Sequence, residues 1–292
     1  MIIKSYFKDY ISKFAYTFLP EKLNEKEKRA ISELKKNGIF ITSLQDVGFD
    51  ENMIEGFFQK SQLDINNIDK EKSAYKDKIG RSKIKDFLFQ PLGSTGKVYF
   101  NSPDDVYFKI ASHPFFRKVA NDYMKTYSKI REINLWLNIP QEEAPKTSQL
   151  WHRDLDNNPN IRIVKIFILL EPVTMGNGPF HYIPETHMGG AKQHIKPEFF
   201  IENKSAKRIT DEAMEKIVPS SEWLFGTGPA GTVIMVDTAL GYHKGGFVKE
   251  NRRFMFYTMY APWRAHFLGD KLRFSQKVKK TKLPRSTKWA IS

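Results

Sequence analysis

The sequence contains no cysteine among its 292 residues. This absence excludes a disulfide framework and restricts any bound metal to nitrogen and oxygen ligands. A chain without disulfides fits a reducing compartment, so we expect a cytoplasmic protein. The sequence also lacks an uninterrupted apolar run of about 18 residues, and it therefore predicts no membrane-spanning helix.

The first twenty residues, MIIKSYFKDYISKFAYTFLP, lack both a continuous apolar stretch and a small-residue cleavage site. Lys4, Lys8 and Lys13 interrupt the apolar positions, so we do not expect a secretory signal. Aromatic residues alternate with lysines here, which suits peripheral contact with the inner face of a membrane. A helix docked on the protein core is an equally good interpretation, and both stay open.

Positive charge dominates, with a formal net charge of +14. Residues 269–292 contain eight Lys or Arg and one Asp, so they supply half of the net positive charge. This distribution predicts a disordered or loosely attached basic tail. No helix-turn-helix, zinc-finger or RNP-type pattern accompanies it, which argues against nucleic acid as a partner. Anionic lipid headgroups or anionic small molecules are the partners that we favour, and the sequence does not predict an oligomeric state.

The N-terminal third alternates helix and strand patterns. Residues 22–37 predict a helix ended by Gly38, and GIFITSL predicts a short strand after it. Residues 51–60 predict a second helix, and the polar residues 61–83 predict an exposed loop. HPFFRKVANDYMKTYSK, residues 113–129, predicts a helix opened by Pro114.

Beyond residue 130 the pattern becomes a series of short apolar runs separated by Pro, Gly and Asn. The runs are EINLWLNI, TSQLWHRD, IRIVKIFILLEPV, GPFHYIP, AGTVIMVDT and RRFMFYTMYAP. Many short strands at turn-punctuated intervals indicate an antiparallel sandwich or barrel. Residues 197–218 interrupt the series and predict a helical insertion.

The stretch SQLWHRDLDN places His152 and Asp154 two positions apart, after a predicted strand ending TSQLW. Residues i and i+2 of an extended chain face the same side, so both side chains can reach one ion. Two histidines and one carboxylate are the ligand set of non-haem Fe(II) sites with open positions. His243 is the best second histidine, because it follows the strand GTVIMVDT and precedes the turn KGGF. The remaining histidines are less suited by position: His113, His181, His187, His194 and His266.

An arginine beside such a site could clamp the carboxylate of a cosubstrate, because a guanidinium binds a carboxylate through two hydrogen bonds. Arg252 and Arg253 both precede the strand FMFYTMY. Only one of them can point inward, since neighbours on a strand alternate. Spacing alone does not choose between them, and each of these signals also has an ordinary structural explanation.

In combination and order, these motifs resemble the phytanoyl-CoA dioxygenase family of Fe(II)- and 2-oxoglutarate-dependent oxygenases. The resemblance covers residues 130–262, and the first 95 residues and the tail match only loosely. It rests on NLWL, QLWHRD, VKIFILLEPV, NGPFHYIPETH and GTVIMVDTALGYHKGG followed by NRRFMFYTMY.

The resemblance implies a mainly β fold with flanking helices, the double-stranded β-helix or jelly roll. It divides the chain into an N-terminal extension packed on the core (1–95), the jelly-roll core (96–268) with its helical insertion, and the basic tail (269–292).

The resemblance also implies roles for single residues. His152, Asp154 and His243 would be the iron ligands. Arg253 would hold 2-oxoglutarate, since it keeps the family's seven-residue distance to Tyr260, and Arg252 is the second candidate. The other pocket candidates are Lys165, for a cosubstrate or substrate carboxylate, and Gln149 and Asn134.

The implied activity is oxygen-dependent hydroxylation of a C–H bond, with 2-oxoglutarate and O2 as cosubstrates. The carboxylate of Asp154 favours this reaction over halogenation, because related halogenases have a small residue at that position. We expect a small-molecule, carbohydrate or lipid substrate of anionic character. The alternatives are a non-catalytic jelly-roll ligand-binding protein and a nucleic-acid-directed oxygenase.

Overall fold

The computed structural model describes residues 2–78, 87–93, 98–155, 158, 160–195, 208–269 and 272–292. The helices are α1 (Ile2–Phe18), α2 (Glu25–Asn37), α3 (Leu44–Val47), α4 (Glu51–Lys78), α5 (Val106–Ala111), α6 (Pro114–Met124), α7 (Asp211–Glu215), α8 (Gln276–Lys280) and α9 (Arg285–Ile291). The strands are β1 (Ile39–Ser43), β2 (Leu88–Phe89), β3 (Val98–Phe100), β4 (Lys129–Asn138), β5 (Val164–Leu169), β6 (Phe180–Tyr182), β7 (Leu224–Gly226), β8 (Thr232–Val236), β9 (His243–Gly245), β10 (Arg253–Ala261) and β11 (Leu272–Phe274).

Two antiparallel sheets form the core. The larger has the order β1-β8-β5-β10-β4-β2, and the smaller has the order β7-β6-β9. Side chains from both sheets, such as Phe167 and Tyr257 from the larger and Phe180 from the smaller, pack into one apolar cluster. This two-sheet arrangement with flanking helices confirms the predicted mainly β fold.

Strand β10 shows why strands of the larger sheet are apolar at nearly every position of their sequence. Met255 and Tyr257 point into the cluster between the sheets. Phe254 and Phe256 point to the opposite face, where the flanking helices cover them. Successive strand residues face opposite sides, so a sheet buried on both faces needs apolar residues at nearly every position.

Helix α2 ends where the sequence predicts it to end. Gly38 adopts a left-handed conformation with φ 79°, and its N–H donates to the carbonyl of Leu34. A Cβ on Gly38 would overlap the Tyr182 hydroxyl and the His187 ring, so only glycine fits. The turn directs the chain into β1, which pairs with β8 at one edge of the larger sheet.

Three predictions of local structure are wrong. The helix after residue 51 does not end at residue 60, because α4 continues to Lys78 through most of the predicted loop 61–83. Helix α6 ends at Met124, before the predicted end, because Lys125 adopts a left-handed conformation. The predicted strand TSQLW is instead a 3₁₀ turn, Thr147–Gln149, followed by isolated bridges at Trp151 and His152.

The expectation of a loosely attached tail is also wrong for residues 272–292. Strand β11 pairs with β3 in parallel, and Leu272, Val278, Ala290 and Ile291 are buried in the main apolar core. The tail is therefore an amphipathic segment. Its apolar side packs on the molecule, and its charged residues lie on the other side.

The predicted division of the chain near residue 95 stays a prediction, although β1 and β2 lie before it and belong to the larger sheet. Of the predicted helical insertion 197–218, residues 197–207 lie outside the described residues. The described remainder contains α7. Across the described ranges, no helix is both long and apolar enough to span a bilayer.

Candidate metal centre

His152 and His243 are brought together by backbone pairing. The N–H of His152 donates to the carbonyl of His243 at 3.0 Å, and the N–H of His243 donates back at 3.1 Å. This isolated bridge joins the segment after the 3₁₀ turn to the start of β9. The N–H of Asp154 donates to the carbonyl of Thr238 at 3.1 Å, which fixes the third residue beside the same loop.

The three side chains converge on one point. The Nε2 atom of His152 lies 3.9 Å from Oδ1 of Asp154, and Nε2 of His243 lies 3.5 Å from Oδ2. One donor atom from each residue lies within 4.8 Å of the others, which is close enough to hold a metal ion.

Backbone carbonyls orient both imidazoles. Nδ1 of His152 bonds to the carbonyl of Leu150 at 2.8 Å, and Nδ1 of His243 bonds to the carbonyl of Gly241 at 2.9 Å. Each carbonyl accepts a hydrogen bond from the Nδ1–H group, and in this tautomer the Nε2 lone pair is free for a cation. Metal-binding histidines commonly use such hydrogen bonds.

Burial holds the pKa of both histidines below the ordinary value. Desolvation is the largest cause for each, and it lowers the pKa of His243 to about 4 and that of His152 well below 6.5. The mutual repulsion of the two rings lowers the pKa of His152 further. Both imidazoles are therefore neutral at physiological pH, which is the form that coordinates a metal.

Lys165 points from β5 into the same site. Its ammonium lies 2.6 Å from Oδ2 of Asp154. Burial alone would raise the pKa of Asp154, but the Lys165 charge and the two histidines outweigh it, so that the pKa is lowered. The carboxylate is thus ionised, as a metal ligand must be.

The side chains of Arg253 and Arg252 lie on opposite sides of the chain, as those of neighbouring strand residues do. Arg252 pairs with Glu171 at 2.6 Å near the surface. Arg253 is 2% exposed, and its Nε and Nη1 atoms have no hydrogen-bond partner among the described residues. Burial lowers its pKa to about 10, so the guanidinium stays charged.

One pocket contains both the triad and Arg253. Its polar lining includes Lys165, Asn138 and Ser148. Its apolar lining consists of Phe87, Leu88, Trp136, Phe167, Phe180 and Met255. Trp136 stacks on Tyr257 with ring centroids 4.2 Å apart, a contact that stabilises the position of the indole in this wall.

Asn134 and Gln149 do not line this pocket. The amide oxygen of Asn134 accepts the N–H of Leu135, and that of Gln149 accepts the N–H of Lys146. Both side chains serve local backbone geometry.

Three other histidines, His113, His181 and His187, have structural contacts. His187 bonds to the carbonyl of Lys35, and His113 caps α6. His181 bonds to the carbonyl of Pro179 and packs edge-on against Trp151 and Phe225.

Sequence reasoning missed Asn138, Trp136 and Phe167. A signal was present, because Trp136 and Asn138 share the strand face of Asn134, and Phe167 shares the face of Lys165. On both strands these residues alternate with core residues. Once Lys165 was placed in the site, this alternation would have identified the strand faces that line the pocket.

Comparison with known proteins decides the family. The model of the phytanoyl-CoA dioxygenase (PhyH) family matches residues 58–246, well over half of the chain. The chain belongs to the PhyH family. This PhyH-family protein is therefore an iron- and 2-oxoglutarate-dependent oxygenase by class, and the oxygenase prediction is confirmed at that level.

Solved structures share its fold at low sequence identity. The epimerase SnoN in complex with Fe³⁺, alpha ketoglutarate and nogalamycin RO has a TM-score of 0.53 and 12% identity, covering 88% of this chain and 93% of that one. EctD from S. alaskensis with 2-oxoglutarate and 5-hydroxyectoine has a TM-score of 0.53 and 16% identity, covering 92% and 89%. The carbocyclase SnoK from nogalamycin biosynthesis has a TM-score of 0.50 and 12% identity, covering 82% and 84%.

These structures confirm the double-stranded β-helix fold of the PhyH-family protein. Among curated proteins, none matches its sequence significantly. An epimerase and a carbocyclase share the fold, so the fold alone does not select the reaction.

Proposed function

We propose that this PhyH-family protein hydroxylates a C–H bond of a small, anionic organic substrate, with Fe(II) held by His152, Asp154 and His243. The observation that carries the oxygenase site is the buried guanidinium of Arg253, which lines the same pocket as the triad without a described partner for two of its nitrogens. A buried charge without a partner is strongly unfavourable, so an anion belongs beside it.

The donor set fits iron. Two neutral imidazoles and an ionised carboxylate would hold the ion through three donor atoms and leave positions for other ligands. When bound, iron, 2-oxoglutarate and O2 would supply the oxidising chemistry, in which one oxygen atom of O2 converts 2-oxoglutarate to succinate and carbon dioxide and the other is added to the substrate. The protein's task is to hold both reactants in place and to keep water away from them.

Arg253 would bind the carboxylate of 2-oxoglutarate that lies farther from iron. Its planar guanidinium offers parallel N–H donors that match a carboxylate. Arg252 is not suited to this task, because it pairs with Glu171 outside the pocket.

Lys165 would hold the carboxylate of Asp154. Its ammonium contacts Oδ2, so Oδ1 would remain available to the ion. A hydrogen bond of this kind orients a metal ligand and stabilises its charged form.

The remaining lining suits a substrate with both apolar and hydrogen-bonding surface. Trp136 and Phe180 provide apolar contact, and burial isolates the reacting groups from water. The Oδ1 atom of Asn138 and the Nε1 atom of Trp136 are buried without a described partner, so they offer one acceptor and one donor. The net charge of +14 supports an anionic substrate, whether a small molecule, a carbohydrate or a lipid.

The test is substrate-stimulated formation of succinate in air, with a panel of anionic small molecules, sugar phosphates and lysolipids. A true substrate should gain one oxygen atom that comes from labelled O2, and Asp154→Ala should abolish both succinate and product. Product without added oxygen, or activity that survives Asp154→Ala, would contradict the proposed hydroxylation. Cytoplasmic residence and contact with a membrane remain predictions beside this one.

A further inference from the structure

Helix α1 is attached to the molecule through the side that carries Asp9, Ser12, Ala15 and Tyr16, where polar contacts accompany a small apolar cluster. Ser12 is fully buried and shares a hydrogen bond of 2.8 Å with Thr126. The Tyr16 hydroxyl donates to Asp122 at 2.9 Å. Asp9 is 5% exposed and accepts the N–H of Arg264. These contacts fix which side of the helix faces outward.

The outward side is apolar. Eight of the fourteen large apolar side chains that are exposed in the described part of the chain lie between Ile3 and Leu19. The helical members that are more than half exposed form what we call the aromatic face: Ile3, Tyr6, Phe7, Tyr10, Phe14 and Phe18. Positions 3, 7, 10, 14 and 18 follow the three- and four-residue spacing of one helical stripe.

This arrangement inverts the usual surface helix, which buries its apolar stripe and exposes its polar one. A contiguous exposed apolar patch marks a site that contacts another surface. Because hydrogen bonds hold α1 in this orientation, the aromatic face is a fixed feature of the fold.

Positive charge borders the aromatic face. Phe7 and Ile11 line a shallow groove between α1 and α9 together with four cationic residues, and none of the described residues that line it has an acidic side chain. The four are Lys4, Lys8, Arg285 and Lys288. The only acidic side chain of α1, Asp9, faces inward and pairs with Lys13 at 2.8 Å.

We propose that the aromatic face docks on a membrane surface that contains anionic phospholipid, with α1 lying in the plane of the interface. Aromatic residues and lysines are the side chains that interfacial helices use, because the rings enter the headgroup boundary while the ammonium groups meet lipid phosphates. Pairing with a second copy through the same face fits less well, since it would oppose two rows of like charge.

This surface is separate from the iron site and does not depend on the proposed reaction. Its effect on function would be to concentrate the enzyme where anionic amphiphiles are found.

The test is sedimentation of the full-length protein with phosphatidylcholine vesicles and with mixed phosphatidylcholine–phosphatidylglycerol vesicles. The wild type should bind the mixed vesicles, and added salt should weaken the binding. Phe7→Gln with Phe14→Gln should lower the partition coefficient roughly tenfold for each ring removed. Lys4→Gln with Lys288→Gln should lower it roughly fivefold for each charge removed.

Matched substitutions elsewhere provide the controls. Leu63→Gln on α4 removes an equally exposed apolar side chain, and Lys26→Gln with Lys36→Gln on α2 removes the same amount of charge. Both controls should bind vesicles as the wild type does. Unchanged circular dichroism and thermal midpoints would show that all variants are folded.

Failure of the wild type to bind mixed vesicles would overturn the proposal, and so would binding that survives the double phenylalanine substitution. A dimer that Phe7→Gln with Phe14→Gln dissociates, without vesicle binding, would assign the aromatic face to a second copy. None of these outcomes depends on iron, 2-oxoglutarate or turnover.

Discussion

At the scale of single residues, the guanidinium of Arg253 carries a desolvation cost that the described protein groups do not offset. Two of its nitrogens are buried and lack partners. Native proteins leave few buried polar atoms unsatisfied, and those that remain often face a ligand. The proposed binding of 2-oxoglutarate at Arg253 would account for this exception.

Replacing this guanidinium should selectively weaken the binding of 2-oxoglutarate. Arg253→Gln should raise the dissociation constant of 2-oxoglutarate about 100-fold, because it removes one partner of a buried charge pair. Fe(II) affinity should change little, since Arg253 is not among the three converging ligands. Calorimetric titration measures both constants, and Arg252→Gln is the matched control. Equal effects from the two substitutions would refute the assignment.

Replacing Lys165 should weaken the binding of Fe(II) more than the binding of 2-oxoglutarate. Lys165→Met removes the hydrogen bond to Asp154, and loss of such a bond costs about 10- to 100-fold in metal affinity. Competition with a chromophoric chelator measures Fe(II) binding, and Lys165→Arg should keep most of it. A change in 2-oxoglutarate affinity alone would instead assign Lys165 to the cosubstrate carboxylate.

The sequence identified the polar residues of the site better than its apolar walls. The HxD spacing and the position of His243 predicted three residues that the structure brings together. Phe180 could not be separated from ordinary core residues, because a pocket wall and a core have the same apolar composition. Asn134 was misplaced because strand direction alone does not reveal which end of a face reaches the pocket.

At the scale of elements, the C-terminal segment is part of the fold. Leu272 on β11 is buried against the main core, although its neighbours are basic. Charge density alone suggested a loose tail, and the buried residues between the charges were too widely spaced to show a periodic pattern.

Leu272→Ala should therefore destabilise the protein by about 2–4 kcal/mol, as expected for a buried leucine replaced by alanine. The exposed Lys277→Ala should leave stability within about 0.5 kcal/mol of the wild type. Urea unfolding followed by circular dichroism measures both. A neutral Leu272→Ala would restore the idea of a loosely attached tail.

The connection from β8 to β9 contains a buried carboxyl group. Burial is the main reason that the pKa of Asp237 is raised to about 6, although Tyr123 and the N–H of Ala239 donate hydrogen bonds to it. Between the unfolded value of 3.8 and about 6, the native protein retains a proton that the unfolded chain releases. Stability therefore falls as pH rises through this window.

Asp237→Asn should remove this dependence. Between about pH 4 and pH 7, the titration of Asp237 should lower the free energy of unfolding of the wild type by up to about 3 kcal/mol. The variant should lack this contribution. Urea midpoints at the two pH values give the difference. Parallel pH profiles for the two proteins would show that Asp237 does not contribute.

At the scale of the whole molecule, the antiparallel two-sheet fold was predictable because its strands are short, apolar and punctuated by Pro and Gly. The segment that carries His152 was not predictable as a 3₁₀ turn with isolated bridges, since its pairing partners, Ile209 and His243, are distant in sequence. The length of α4 was missed because its polar residues gave no apolar periodicity.

The most direct measurement is an anaerobic titration of 2-oxoglutarate into Fe(II)-loaded protein, followed through the visible charge-transfer band of the chelate. We expect a saturable band in the wild type and its loss in Asp154→Ala and in His243→Ala. We also expect Arg253→Gln to shift the titration to higher 2-oxoglutarate concentration. A wild-type protein that binds neither iron nor 2-oxoglutarate, or a band that persists in both ligand variants, would contradict the assigned site.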